Sequence, residues 1–172
     1  MTPTRIGFGR RMKKWFKLST VADALGLNVH TLRGWISKGY VFDEETKAAN
    51  KAGGTSYLDE EGVIRLAIMQ RLVALGVDAR RAFEATLMFL DIGDPMISFN
   101  RENPAALKGF GRRDPGELYK TGETLVVCPA GAARCEGLNI KGKHSLADVV
   151  FGRFDAALVL HLNPIVVDLK AR

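Results

Sequence analysis

Apolar positions along the chain fall first into stripes of helical period and later into short runs of strand character. Val21, Ala22 and Leu25 form one helical stripe, and Val29, Leu32, Trp35 and Ile36 form a second. Gly26 and Asn28 stand between them, so residues 17–38 read as two short helices around a glycine turn. Ser19 is placed to cap a helix entering at Thr20, and Asn28 to cap the next, each by accepting from orphan backbone N–H groups. Residues 39–58 are polar and irregular, with Lys47, Lys51 and the pair Gly53-Gly54. Helical periodicity resumes over 59–92, which predicts a longer amphipathic helix followed by a second, with Met88, Phe89 and Leu90 as packing between helices.

From about residue 93 the texture changes. Pro95, Pro104 and Pro115, with Gly109, Gly111 and Gly116, interrupt any long helix. Thr124 to Cys128 and Ala157 to Leu162 have strand character; Ser145 is placed to cap a helix running through Phe151, and Pro164 to open a short terminal helix. The pattern predicts an α+β protein in four parts. These are an arm over 1–16, a mostly helical unit over 17–92 that folds alone, a Pro/Gly-containing linker over 93–120, and a small α+β module over 121–172.

Composition narrows the setting. The 172 residues are 47% hydrophobic and 26% charged, an ordinary globular balance. No run approaches the roughly 18 apolar residues of a membrane span, and no apolar segment follows the basic start, so a cytoplasmic protein without membrane contact is expected.

Charge adds a direction. The net charge is +6, and residues 1–20 carry Arg5, Arg10, Arg11, Lys13, Lys14 and Lys17 with no acidic residue. Such an arm suits a polyanion, nucleic acid before membrane; the plainer reading is a solvated terminus that aids solubility.

The helix pair sharpens this. Ala22 lets two helices approach, Gly26 four residues on makes the tight turn, and Leu32 six further on plugs the gap between them. That spacing belongs to DNA-binding helix-turn-helix motifs. The second helix then presents Asn28, His30, Thr31, Arg33 and Gly34 to a major groove, where Arg33 is suited to fork onto guanine O6 and N7 and His30 and Thr31 to reach base edges or phosphates.

From Lys17 to about Asp91 the chain resembles the winged-helix DNA-binding domain of MerR-type transcriptional regulators. Three blocks carry the likeness in order: Leu18 to Arg33; Lys38-Gly39-Tyr40-Val41 with a loop reaching Gly53-Gly54-Thr55-Ser56-Tyr57; and Leu58 to Leu66, running on to Leu75-Gly76-Val77 before a fourth helix from Asp78. The resemblance implies a prokaryotic or phage protein that reads duplex DNA with Thr31 and Arg33 in the groove and touches the flanking backbone with its wing. Backbone contacts are expected from Arg10, Arg11, Lys13, Lys14, Lys17, Lys38 and Tyr57.

The chain departs from the family at several points. Gly34 stands where the family usually has Tyr, and Ser56-Tyr57-Leu58 replaces the usual Arg-x-Tyr of the wing, removing a basic contact. Lys47 and Lys51 are suited to replace it, since counterion release needs only a cation near the backbone. Arg80 and Arg81 fall in the first turn of the fourth helix, where the macrodipole disfavours cations. A phosphate there would reverse that sign, so they are expected to clamp the DNA backbone. Asp94 to Lys120 shows no heptad pattern, so the family's coiled-coil dimerisation and its promoter-untwisting mechanism do not carry over.

Catalytic and metal chemistry find little support. Cys128 and Cys135, with His144 and His161, lack the tight pairs of structural zinc sites, and Cys128 at a strand end reads as a reduced, buried hydrophobe. Leu107 to Arg113 lacks the strand and the Gly-Lys-Ser/Thr ending of a phosphate loop and reads as a flexible basic linker. Ser145, His144 and Asp148 are neighbours in sequence without a nucleophile elbow. The expectation is a non-enzymatic, cofactor-free regulator of double-stranded DNA, whose C-terminal module dimerises, binds another protein or senses a ligand, with RNA polymerase or another protein as a further partner. Two alternatives stay open: an architectural or recruiting factor, like excisionases or small phage packaging subunits, and a protein-interaction adaptor whose helix-turn-helix is vestigial.

Overall fold

A computed structural model describes residues 14–41, 56–92, 113, 116–132, 134–140, 145–147 and 155–171. Strand β1 (Phe16–Lys17) leads into helices α1 (Leu18–Ala24) and α2 (Val29–Ser37), and β2 (Tyr57–Leu58) leads into α3 (Glu60–Ala74) and α4 (Ala79–Leu87). A single π turn, Met88–Ile92, extends α4. The second half contains β3 (Glu123–Pro129), β4 (Glu136–Ile140), β5 (Ala157–His161) and α5 (Leu162–Ala171). The fold is α+β, a helical helix-turn-helix region followed by a strand-and-helix module.

Local signals set the first half. After α1 the chain closes with Gly26 at φ +64°, the Gly26 amide donating to Asp23 O at 3.1 Å and the Leu27 amide to Ala22 O at 2.9 Å. These two bonds satisfy carbonyls left open at the helix end, and the left-handed φ is what a glycine adopts without steric cost. Asn28 then caps α2, its Oδ1 accepting from the His30 amide at 2.8 Å.

The start of α1 differs from expectation. The helix begins at Leu18 with Lys17 as N-cap and no side-chain cap, so Ser19 lies inside the first turn. A strand supplies what the serine was expected to give: the Leu18 amide donates to Ser56 O at 2.9 Å, satisfying one orphan N–H from β2's side. Phe16 pairs with Leu58 and Lys17 with Tyr57 in the antiparallel β1–β2 ladder.

The core runs without a break from one half to the other. Leu18, Val21, Leu32 and Trp35 share it with Leu58, Leu66 and Leu72, and also with Val126, Leu160, Leu162 and Val166. Helix α3 is therefore not amphipathic along its middle, since every residue from Gly62 to Met69 is buried. The helix-turn-helix covers part of its circumference while α4 and α5 pack against it as well, and a helix enclosed on several sides must be apolar all round. Burying a leucine such as Leu66 or Leu72 contributes roughly 1.5–3 kcal/mol. Arg65 joins this interior with its guanidinium over the Phe83 ring, which stacks in turn on Tyr40 at 4.8 Å.

In the second half β3 is the centre of a three-stranded antiparallel sheet, in the order β4-β3-β5. The two expected strands are present, with Leu162 starting the terminal helix instead of ending β5, and Pro164 is the third residue of that helix. Strand β4 was not anticipated, because Gly137 and Asn139 dilute the strand character of a five-residue run. Residues 146 and 147 are helical, and the rest of the helix expected after Ser145 lies outside the described residues. Facing one side of the sheet, Leu125 and Val127 form a second, smaller cluster with Leu138, Ile140, Ala157 and Val159.

Two sequence expectations in this half are corrected. Cys128 and Cys135 are joined by a disulfide, not held as separate thiols. The reason is register: Val127 pairs with Glu136, so the next antiparallel position sets Cys128 opposite Cys135, Cα to Cα 4.2 Å. Arg113 is not a solvated linker residue. It is buried with its guanidinium 4.6 Å over the Phe89 ring, donating to the carbonyls of Phe89 at 2.7 Å and Met88 at 3.2 Å. It thereby satisfies carbonyls of the π turn that the helix itself leaves open.

Candidate nucleic-acid interface

The candidate interface is built on α2. Leu32 and Trp35 point into the core, and Ala22 on α1 is buried with them. At 100° per residue this leaves His30, Arg33, Gly34 and Ser37 on the opposite face, with Val29 and Thr31 at its margins. Asn28, His30, Thr31 and Arg33 are all exposed, so the structure gathers the four expected base-reading residues on the first half of one helix. Asn28 has a divided role, because its oxygen is held by the cap and only its side-chain NH2 is left to donate outward.

Val29 was expected on the inner stripe and is instead 53% exposed, at the N-terminal edge of that face. Its helical phase sets it about 120° from Trp35 and one turn before Arg33, at the margin of the buried stripe. An exposed apolar methyl pair at the tip of such a helix matches the one apolar feature of a major groove, the thymine methyl. Composition alone does not show this; counting phase from Trp35 would have.

The β1–β2 ladder brings two further expected residues together. Lys17 and Tyr57 are direct cross-strand partners and both are exposed, while Phe16 and Leu58 take the inner side. Residues directly opposite in an antiparallel pair share a face, so an ammonium and a phenol stand side by side. Lys14 and Lys38 are also exposed, the latter one residue beyond α2. Arg10, Arg11, Lys13, Lys47 and Lys51 lie outside the described residues.

Arg80 and Arg81 do fall in the first turn of α4, where Asp78 caps the helix by accepting from both their amides at 3.1 Å. The Asp78 carboxylate offsets the macrodipole cost that the sequence left unexplained. Their side chains diverge. Arg80, 77% exposed, pairs with Glu84 at 3.0 Å. Arg81 turns away and donates from Nη2 to the Pro129 carbonyl at 3.1 Å, on the β3–β4 turn.

Elsewhere the chemistry is structural. The disulfide occupies both cysteines, and His161 pairs with Glu123 at 2.5 Å on the exposed side of the sheet. Among the described residues no cluster of three or more His, Cys, Asp or Glu is arranged to hold a metal ion. No helix among them is long and apolar enough to cross a membrane.

Two helices locked by Ala22, Gly26 and Leu32, with an exposed polar face on the second and a short ladder pairing the strand before them with the strand after, define a helix-turn-helix domain. Residues 16–82 match the family model described as MerR HTH family regulatory protein, so this segment is a MerR-type helix-turn-helix domain. No curated protein matches the chain, and no solved structure does.

Proposed function

We propose that the protein is a sequence-specific, double-stranded DNA-binding transcriptional regulator of prokaryotic or phage type. The observation that carries this reading is the exposed stripe of α2, held outward by buried Leu32 and Trp35 within a MerR-type domain. Arg33 reads guanine through its forked guanidinium, His30 and Thr31 reach base edges, Asn28 donates from its amide, and Val29 packs on thymine methyls. Lys14, Lys17, Lys38 and Tyr57 hold phosphates beside the groove, together with Arg80 and with Arg10, Arg11, Lys13, Lys47 and Lys51; Arg81, bonded to the Pro129 carbonyl, is left out of that set. The protein works in the cytoplasm without a catalytic step or a cofactor, and its C-terminal module contacts a second copy, RNA polymerase or another protein.

One observation favours a second reading, an architectural or recruiting DNA-binding factor. The terminal helix α5 folds back into the core beside α3, so it does not extend as a dimerising coiled coil.

Selection from a random duplex pool at about physiological salt, followed by sequencing, separates the readings. An enriched motif supports the regulator, and an inverted repeat shows that two copies read it. Salt-sensitive binding with no enriched motif supports the architectural factor. Absence of binding overturns both and leaves the adaptor.

A further inference from the structure

Gly34 sits near the middle of the nine-residue helix α2, where a glycine weakens the helix relative to alanine. Nothing among the described residues requires it. It does not have a positive φ, and a Cβ built on it meets no atom of the described residues within 4 Å. Gly62 shows the contrasting case, since a Cβ there would meet the Leu58 side chain at 3.0 Å. A helix interior that carries a destabilising residue with open space around it leaves room for a partner to lie against the backbone.

The position of that space is informative. Gly34 lies one turn after His30 and one turn before Ser37, flanked by Arg33, on the face turned away from Leu32 and Trp35. Ser37 is drawn back onto the helix, its Oγ donating to Gly34 O at 2.9 Å. Between His30 and Ser37 the stripe is therefore half-buried backbone without a side chain.

We infer that Gly34 is a close-approach notch: its missing side chain lets one strand of the duplex lie against the backbone of α2, which brings His30 and Arg33 to the depth at which they reach base edges. The inference rests on the DNA-binding reading and adds to it a specificity-determining residue that holds no polar group. The notch acts by shape alone, so filling it should weaken binding without removing a charge contact.

The test compares the full chain with its Gly34→Ala variant, using a fluorescein-labelled duplex pool of mixed sequence at several salt concentrations, with thermal unfolding measured on the same samples. The expected result has opposite signs. Tm rises by about 2–4 °C, because alanine is the better helix former, while affinity falls by roughly fivefold or more, the scale of overpacking a close-fitted surface. The salt slope stays as it was, because no cation has been lost. A raised Tm with unchanged or tighter binding overturns the notch and leaves the DNA reading standing. A lowered Tm overturns it too, by showing that the glycine serves the fold. If the unaltered protein does not bind the pool, the functional reading itself falls and the notch falls with it.

Discussion

The guanidinium of Arg81, at the start of α4, donates to the Pro129 carbonyl at the far end of β3, 48 residues later in the chain. This bond ties the helix-turn-helix half to the turn closed by the Cys128–Cys135 disulfide. Arg81 Nε is buried in the same place with no partner among the described residues, so the bond to Pro129 is the one that fixes the side chain. Arg81→Ala should lower stability by about 1 kcal/mol, the net worth of one such bond. Amide exchange around residues 129–132 should quicken. Unchanged exchange there would show that the turn is held by other means.

The disulfide closes a short loop, with a sequence separation of 7. By chain-entropy reasoning a loop of that size contributes about 2 kcal/mol, less than a long one. Reduction should therefore lower the denaturant midpoint of the whole chain without abolishing its fold, because both sulfurs also lie in the apolar core. Denaturant titrations with and without a phosphine reductant give the comparison, alongside a thiol count by alkylation and mass. Two alkylatable thiols in the untreated native protein would show that the bond does not form.

On the proposed interface, base and backbone contacts should separate by their signatures. Arg33→Ala should cost about 1–3 kcal/mol on a selected site and relax the preference at one base pair. Lys17→Ala should weaken binding to all sequences alike and reduce the salt slope by about 0.9. Equal loss on selected and random duplex for Arg33→Ala would move it from the base-reading group to the phosphate group.

Leu162 and Val166, from the terminal helix, are fully buried in the same core as Leu18 and Leu72. Leu162→Ala should cost about 2–5 kcal/mol, and it should lower a single unfolding transition seen equally by tryptophan fluorescence and by circular dichroism. Trp35 is buried beside α1, so its fluorescence reports on the helix-turn-helix half. A Trp35 signal that does not shift on Leu162→Ala would show that the two halves unfold independently.

The helix-turn-helix was legible because its determinants are local. Ala22, Gly26, Asn28 and Leu32 lie within eleven residues, and capping, a left-handed turn and helical phase are decided over that range. The exposure of His30, Thr31 and Arg33 follows from the same phase. Tertiary structure decided what depends on distant partners. Ser19 lost its capping role to a carbonyl supplied by Ser56. The middle of α3 is buried all round because α5 returns from the chain's end to cover it. Arg113 became an interior residue by bonding the Phe89 and Met88 carbonyls of the π turn and stacking over Phe89. Cys128 met Cys135 through the register of a strand too short and too polar to announce itself. Local sequence sets backbone conformation and phase, whereas burial and pairing are properties of what the rest of the chain brings alongside.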